Sequence, residues 1–166
     1  AQKKFGTASI LLDGTEDNVK VPDDTDFGFG SANFCLEAFI RPNSVSGIQR
    51  IFDLRNASAT DTAPTMYLNG TALHYGVGNT SHINGGTLST GTWYHVAVAR
   101  NAGTTKLFLD GTELGTYTDA NNYEVSKPLI IGANYEATPA EAFNGHIDEV
   151  RVSKAAARFT AGFTPT

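Results

Sequence analysis

One cysteine, one tryptophan and one methionine occur in 166 residues, and these scarcities remove whole classes of explanation. A lone Cys35 cannot close an intramolecular disulfide, and no zinc-ligand set of the usual spacing can be built on it. Set in the apolar run 34–40, it reads as a small buried hydrophobe. Charged residues make up only 17% of the chain, too few for long solvated helices. Basic residues do not cluster: with Lys+Arg 12 against Asp+Glu 17 and a formal net charge of -5, nothing could neutralise successive phosphates, so no nucleic-acid partner is expected. No stretch approaches the roughly 20 apolar residues of a membrane helix. Ala1-Gln2-Lys3-Lys4 leads into no signal-type apolar core, and no membrane insertion is expected.

What the chain does have is glycine (17 residues) and 40% hydrophobic residues, arranged with period two in short segments between Gly, Asn and Asp. That pattern is how half-buried strands appear in a sequence. About a dozen strands are expected. In 33–41, Phe34, Leu36, Ala38 and Ile40 share one face, and Cys35, Glu37, Phe39 and Arg41 the other. In 92–100 every position from Trp93 to Ala99 except His95 is apolar or aromatic, the mark of a central strand covered on both sides, with Trp93 in its interior as core. Asp110-Gly111 and Asn69-Gly70 supply the positive φ that two-residue hairpin turns require. Further strands are expected at 9–12, 18–21, 49–54, 129–132 and 145–152, with one helical turn at 154–159. The length suits a single domain, 1–166, and many short antiparallel strands call for two packed sheets, with Leu36, Ala38, Ile40, Phe108, Ile131 and Val150 inside.

Several stretches resemble the laminin-G-like jelly roll of the concanavalin-A-like lectin/glucanase superfamily. Lys4-Phe5-Gly6-Thr7-Ala8-Ser9-Ile10-Leu11-Leu12-Asp13-Gly14 is similar to its opening. Phe34-Cys35-Leu36-Glu37-Ala38-Phe39-Ile40-Arg41-Pro42 is similar to its "F-T-hydrophobic-E-A-W-hydrophobic-R-P" strand, with Phe39 in place of tryptophan. Trp93-Tyr94-His95-Val96-Ala97, Leu107-Phe108-Leu109-Asp110-Gly111, Ile131-Gly132-Ala133 and the close from Phe143 through Ile147-Asp148-Glu149-Val150-Arg151-Val152 to Arg158-Phe159 follow in family order. The resemblance implies an all-β antiparallel sandwich. The opening joined to Phe27-Gly28-Phe29-Gly30 also resembles modules of phage structural proteins. Two functions follow as expectations. One is a non-enzymatic module binding a glycan or cell surface, extracellular or displayed on a virion. The other is a virion decoration or tail component acting on other virion proteins through assembly interfaces.

Catalytic signatures are missing. Glycan hydrolysis needs two carboxylates across a cleft, and the E-x-D-x-x-E string that supplies them on this fold does not occur. Asp148 and Glu149 are adjacent and would point to opposite faces of a strand. His74, His82, His95 and His146 have no metal or helix-face spacing, and there is no G-x-S-x-G elbow. His95 reads as a hydrogen-bonded core histidine. Asn56-Ala57-Ser58, Asn69-Gly70-Thr71 and Asn79-Thr80-Ser81 match the glycosylation acceptor pattern.

Three sets of residues are candidates for sites. In related glucanases the aspartate of the closing strand binds a structural calcium, so the resemblance points to Asp148 as a calcium ligand, with Asp13, Gly14 and Asp17 supplying further oxygens. The alternative is that Asp148 accepts backbone N–H groups with no metal. In pentraxin-like relatives the loop after Ile131-Gly132 holds the ligand, which marks Asn134, Tyr135, Glu136 and Glu141 here, although the Glu-Gln-Asp run of those relatives is missing. Sugars stack on aromatic faces, and Tyr75, Tyr117, Tyr123 and Tyr135 lie near expected strand ends, so Tyr75 joins the ligand-binding candidates.

Overall fold

The computed structural model describes residues 2–56, 61–123, 126–136 and 140–166. The acceptor pattern at Asn56-Ala57-Ser58 lies partly outside them. Among the described residues there are twelve strands: β1 (Ile10–Asp13), β2 (Val19–Asp24), β3 (Phe34–Pro42), β4 (Ile48–Asp53), β5 (Pro64–Asn69), β6 (Ala72–Val77), β7 (Thr80–Gly85), β8 (Tyr94–Asn101), β9 (Thr104–Leu109), β10 (Thr112–Thr118), β11 (Lys127–Ile131) and β12 (Asn144–Lys154). They form two antiparallel six-stranded sheets, ordered β1-β12-β3-β8-β9-β10 (sheet A) and β2-β11-β4-β5-β6-β7 (sheet B). Among the described residues the sole helical element is a 3-10 turn, Thr25–Phe27, capped by the Asp24 carboxylate, which accepts the Asp26 N–H. The fold is the concanavalin A-like sandwich.

One apolar cluster fills the space between the sheets. Phe34, Leu36, Ala38 and Ile40 of β3 join Ile51, Met66, Leu68, Leu73, Val96, Val98, Leu107 and Ile131, all buried. Phe108 is buried as expected but belongs to a second cluster, with Cys35, Ala97 and Ala99, on the outer face of sheet A. Phe159 and Phe163 of the C-terminal tail pack on it. Strands β3 and β8 are therefore covered on both faces, one by the sandwich core and the other by the tail. Burial, with Glu37 beside it, pushes the Cys35 thiol up to about 12, the behaviour of packing material rather than a nucleophile.

Two-residue turns join neighbouring strands. Asp110 and Gly111 both have positive φ (49° and 77°), as the Asp-Gly pair predicts. The second expected hairpin is displaced by one residue: Asn69 pairs with Ala72, so the turn is Gly70-Thr71, with glycine at the first central position at φ 60°, where the alternative hairpin turn needs it.

Three other expectations are corrected. Trp93 lies outside β8 and is half-buried, 6.3 Å from the His146 ring, not in a strand interior. No helical turn forms at 154–159. Ala155 adopts φ 60°, and the chain then runs out so that Phe159 stacks on Phe163 at 3.6 Å. The third is the regular alternation expected along 145–152, which would put His146, Asp148, Val150 and Val152 on one face turned toward the core. Ile147 pairs with Ile40 and Asp148 with Phe39, but Glu37 is met by Arg151, so Glu149 and Val150 together oppose Ala38. This is a β-bulge, with Glu149 at φ 50°. It resets the alternation. Val150 and Val152 turn toward the core, where they are only partly buried, while Asp148 before the bulge faces outward.

Candidate functional site

The outer face of sheet A carries, in successive rows, first His146 and Arg41 of β12 and β3, then Asp148, Phe39 and His95 across β12, β3 and β8, then Arg151, Glu37 and Ala97. Both terminal segments lie on this face. The N-terminal one is held by Asp148. Its Oδ2 accepts the N–H groups of Lys4 (2.9 Å) and Phe5 (3.2 Å), and its Oδ1 accepts that of Glu149 (2.9 Å). Phe5 then meets Phe39 edge-on at 5.2 Å, and Lys4 Nζ sits 5.1 Å above the Phe39 ring. The C-terminal segment is held at the Asp110-Gly111 turn, where Gly111 O accepts the Phe163 N–H at 3.0 Å. A Cβ at Gly111 would lie 1.8 Å from the Phe163 carbonyl oxygen, so this close approach requires glycine.

Between the two segments lies a cleft of about 290 Å³. Phe5 and Phe39 form one side, Phe159, Phe163 and the stretch 164–166 the other, over a floor of Glu37, His95, Arg151 and Arg158, with Glu149 also in the lining. Glu37 is buried and organises the floor. Its Oε2 is 3.0 Å from His95 Nε2. Its Oε1 is 2.7 Å from Arg158 Nε and 3.6 Å from Arg151 Nη1. An ionised carboxylate only accepts, so His95 Nε2 carries a proton and donates it to Glu37 Oε2. Burial alone would raise the Glu37 carboxyl, but the hydrogen bond from His95 and the charges of Arg158, His95 and Arg151 outweigh it and hold the group below its ordinary value. The His95 ring is fixed by Phe39, Phe159 and Phe163, each edge-on, and its backbone N–H is bound by Asp110 Oδ1 at 2.7 Å.

The predicted calcium ligands are not brought together. Asp13 pairs with Asn144, four residues along β12 and about 13 Å from Asp148 at the rise of a strand. The oxygens of Asp13 and Asp17 are used within their own loop, by Thr15 N–H (2.7 Å) and Asp13 N–H (3.1 Å). Gly14, at φ 86°, makes the turn against Asn144. Among the described residues no group of three or more His, Cys, Asp or Glu could hold a metal ion. The geometry at Asp148 is that of the second alternative, a carboxylate satisfied by backbone N–H groups.

The predicted ligand-binding residues also separate. Tyr75 is buried in the core, its hydroxyl 2.9 Å from that of Tyr123 and 3.4 Å from Asp119 Oδ2, and it offers no surface to a ligand. Tyr123 is buried beside it, and Tyr117, half-buried, stacks on His82. Asn134 is buried, and its Oδ1 accepts the N–H groups of Ala140 (2.9 Å) and Glu136 (3.3 Å), a role inside its own loop. Tyr135 lies under the Arg55 guanidinium at 4.6 Å, Glu136 is exposed, and Glu141 pairs with Arg50 at 2.6 Å. None of these lines the cleft. The sequence did hold one pointer to the true floor: Glu37 is the only acid in a strand whose other residues are apolar up to Arg41. Arg151 and Arg158 join it only through the bulge and the docked tail.

A family model described as "Concanavalin A-like lectin/glucanases superfamily" matches residues 13–158. Among curated proteins none matches. The carbohydrate-binding module CBM40 of a Ruminococcus gnavus IT-sialidase superposes with TM-score 0.69 at 14% identity, over 92% of this chain and 91% of that one. Domain 4 of AbnA, a GH43 extracellular arabinanase from Geobacillus stearothermophilus solved with arabinotriose, superposes with TM-score 0.69 at 21% identity, over 95% and 75%. A heptameric SAP-like pentraxin from Limulus polyphemus gives TM-score 0.63 at 16% identity, over 87% and 74%.

Proposed function

The chain belongs to the concanavalin A-like lectin/glucanase superfamily, and from that premise we propose that it is a non-catalytic carbohydrate-binding module whose ligand sits in the cleft between the two terminal segments. The observation that carries this reading is the composition of the cleft: partly exposed aromatic rings as walls, over charged groups fixed by one another. Sugar recognition uses that combination, with C–H faces on rings and hydroxyls on a few immobile polar groups. Solved relatives of the same shape are named as carbohydrate-binding, or hold an arabinotriose, and one belongs to an extracellular enzyme, which supports an extracellular setting.

The floor argues against hydrolysis. Glycosidases keep one carboxyl protonated by raising its pKa, whereas Glu37 is held ionised by His95, Arg158 and Arg151. Glu149, the other acid in the lining, is exposed. A second reading, a virion component acting through assembly interfaces, has one observation in its favour. The β1 and β2 edges lie on the same side of the sandwich and expose Leu11 (58%), Ile10 and Val19.

A glycan array followed by calorimetric titration of the hits, with Phe5→Ala and Phe159→Ala beside the parent chain, separates the two. Module function gives binding that each variant weakens at least tenfold, with no glycan turnover. Silence on the array, together with concentration-dependent self-association in sedimentation, would replace it with the assembly reading.

A further inference from the structure

The floor of the cleft holds two arginines on one carboxylate. Elsewhere each buried arginine of sheet B has its own acid, Arg50 with Glu141 and Arg55 with Asp53. Here Arg158 Nε lies 2.7 Å from Glu37 Oε1, and Arg151 stands off at 3.6 Å. Their side chains are 40% and 50% exposed. Both arginines line the cleft, and among the described residues neither guanidinium is paired with a second carboxylate.

The acceptors are already spent. Glu37 Oε2 is taken by His95, Oε1 is buried beside Arg158 Nε in an ion pair and makes no hydrogen bond, and the carboxylate of Asp148, beside the cleft, is filled by three backbone N–H groups. What the floor offers a ligand is donors without acceptors. A neutral sugar hydroxyl both gives and takes hydrogen bonds, and among the side chains lining the cleft only the exposed Glu149 and the hydroxyls of Thr164 and Thr166 are open to receive one. A carboxylate only accepts, and it matches a guanidinium fork with two parallel, charge-assisted bonds. Glu37 pre-orients the Arg158 fork, so less of its side-chain entropy remains to be lost on binding.

We infer that the ligand of this cleft is an acidic glycan whose carboxylate is bound by Arg158 and Arg151, with the sugar rings against Phe5 and Phe159. The inference rests on the carbohydrate-binding reading above and narrows it to carboxylated sugars. Glu149 at the bulge works against it by like-charge repulsion, which makes that residue a direct probe.

The test is calorimetric titration of the chain with trigalacturonate and with its fully methyl-esterified form, which keeps size and stereochemistry and removes the charge. A matched pair, 3′-sialyllactose and lactose, covers the other common carboxylated sugar. The expected result is at least tenfold tighter binding of the acid in one pair or both. That preference should shrink with added salt, fall at least tenfold in Arg151→Gln, and grow severalfold in Glu149→Gln. Arg151 is half-exposed and weakly paired, so its variant folds even where Arg158→Gln, which strips Glu37 of its nearest cation, does not. Equal affinity for acidic and neutral partners, or a preference unmoved in Arg151→Gln and Glu149→Gln, would overturn the acidic-ligand inference and leave carbohydrate binding standing. If neither pair binds while other neutral glycans on the array do, the inference falls in the same way. If no glycan binds at all, both readings fall together.

Discussion

Asp148→Ala tests how the N-terminal segment is held, because one carboxylate anchors Lys4, Phe5 and Glu149 by their backbone N–H groups. A hydrogen bond to a charged acceptor contributes roughly 1.5–3 kcal/mol when buried. This site is partly open and the freed N–H groups can take water, so the three together should contribute about 2 kcal/mol. For a domain of this length that corresponds to a melting temperature lower by about 4–8 °C. The loss should also be local. Amide hydrogen exchange at Lys4 and Phe5 should rise well before exchange in β3 or β8, and Phe5 should leave Phe39, removing one wall of the cleft and weakening glycan binding. Asp148→Asn, which keeps acceptor oxygen at one position only, should fall between the two. The melting temperature is measured in excess chelator and again in millimolar calcium. If hydrogen bonding is the whole role of Asp148, the Ala variant's deficit is the same in both. A parent chain stabilised by calcium, with the dependence abolished in Asp148→Ala, would refute this reasoning and restore the metal, as would an Ala variant melting within 1 °C of the parent.

Gly111→Ala should displace the C-terminal tail, since the new Cβ would fall 1.8 Å from the Phe163 carbonyl in a backbone conformation that itself costs about 1 kcal/mol; limited trypsin digestion should then cut after Arg158 much faster, and an unchanged digestion rate would contradict the docking. The carboxyls of Glu37 and Asp119 both sit below their ordinary values of 4.5 and 3.8, burial raising each and the hydrogen bonds and cations around it more than compensating. A depressed folded pKa gives stability that is complete above the unfolded value and lost as pH falls through the folded one. The contribution of these two carboxylates should therefore hold from neutrality to about pH 4.5 and be lost below it, so that the melting temperature falls less steeply there in Glu37→Gln; an equal slope in that variant would remove Glu37 from the account. Tyr75→Phe should lower stability by about 1 kcal/mol and leave glycan affinity unchanged, while any loss of affinity at constant fold would return Tyr75 to the site.

Much of the architecture could be read from the pattern of residues. Alternation in β3 located that strand to within a residue, because a strand with one face in a core must repeat with period two, and the nearly unbroken apolar run 93–99 located β8, which is covered on both faces. Asp110-Gly111 marked its turn because few other pairs accept positive φ at both positions. β7 (Thr80–Gly85) was not anticipated: its sequence, Thr80-Ser81-His82-Ile83-Asn84-Gly85, has a single buried apolar residue, Ile83, and edge position rather than burial makes it a strand. The site candidates fared differently. Tyr75 and Tyr123 stand near strand ends in sequence, yet pair hydroxyl to hydroxyl in the core around Asp119, a partnership between residues 48 apart in the chain.

The amino-acid pattern by itself determined that this chain would form two antiparallel sheets, which β3 residues would line the core, and that the single cysteine would be packing. Those properties follow from local periodicity and composition. Only the tertiary structure decided where Asp148 points and what surrounds Glu37. One extra residue in β12 reverses the face of everything before it, and nothing in Ile147-Asp148-Glu149-Val150 announces that bulge, because it exists only against the register of β3. The cleft likewise needs residues from the two ends of the chain, Phe5 and Phe159, on the same outer sheet face, with Arg151 and Arg158 converging on a carboxylate more than a hundred positions earlier. Such convergence depends on long-range packing, which local patterns of apolar and polar residues do not record.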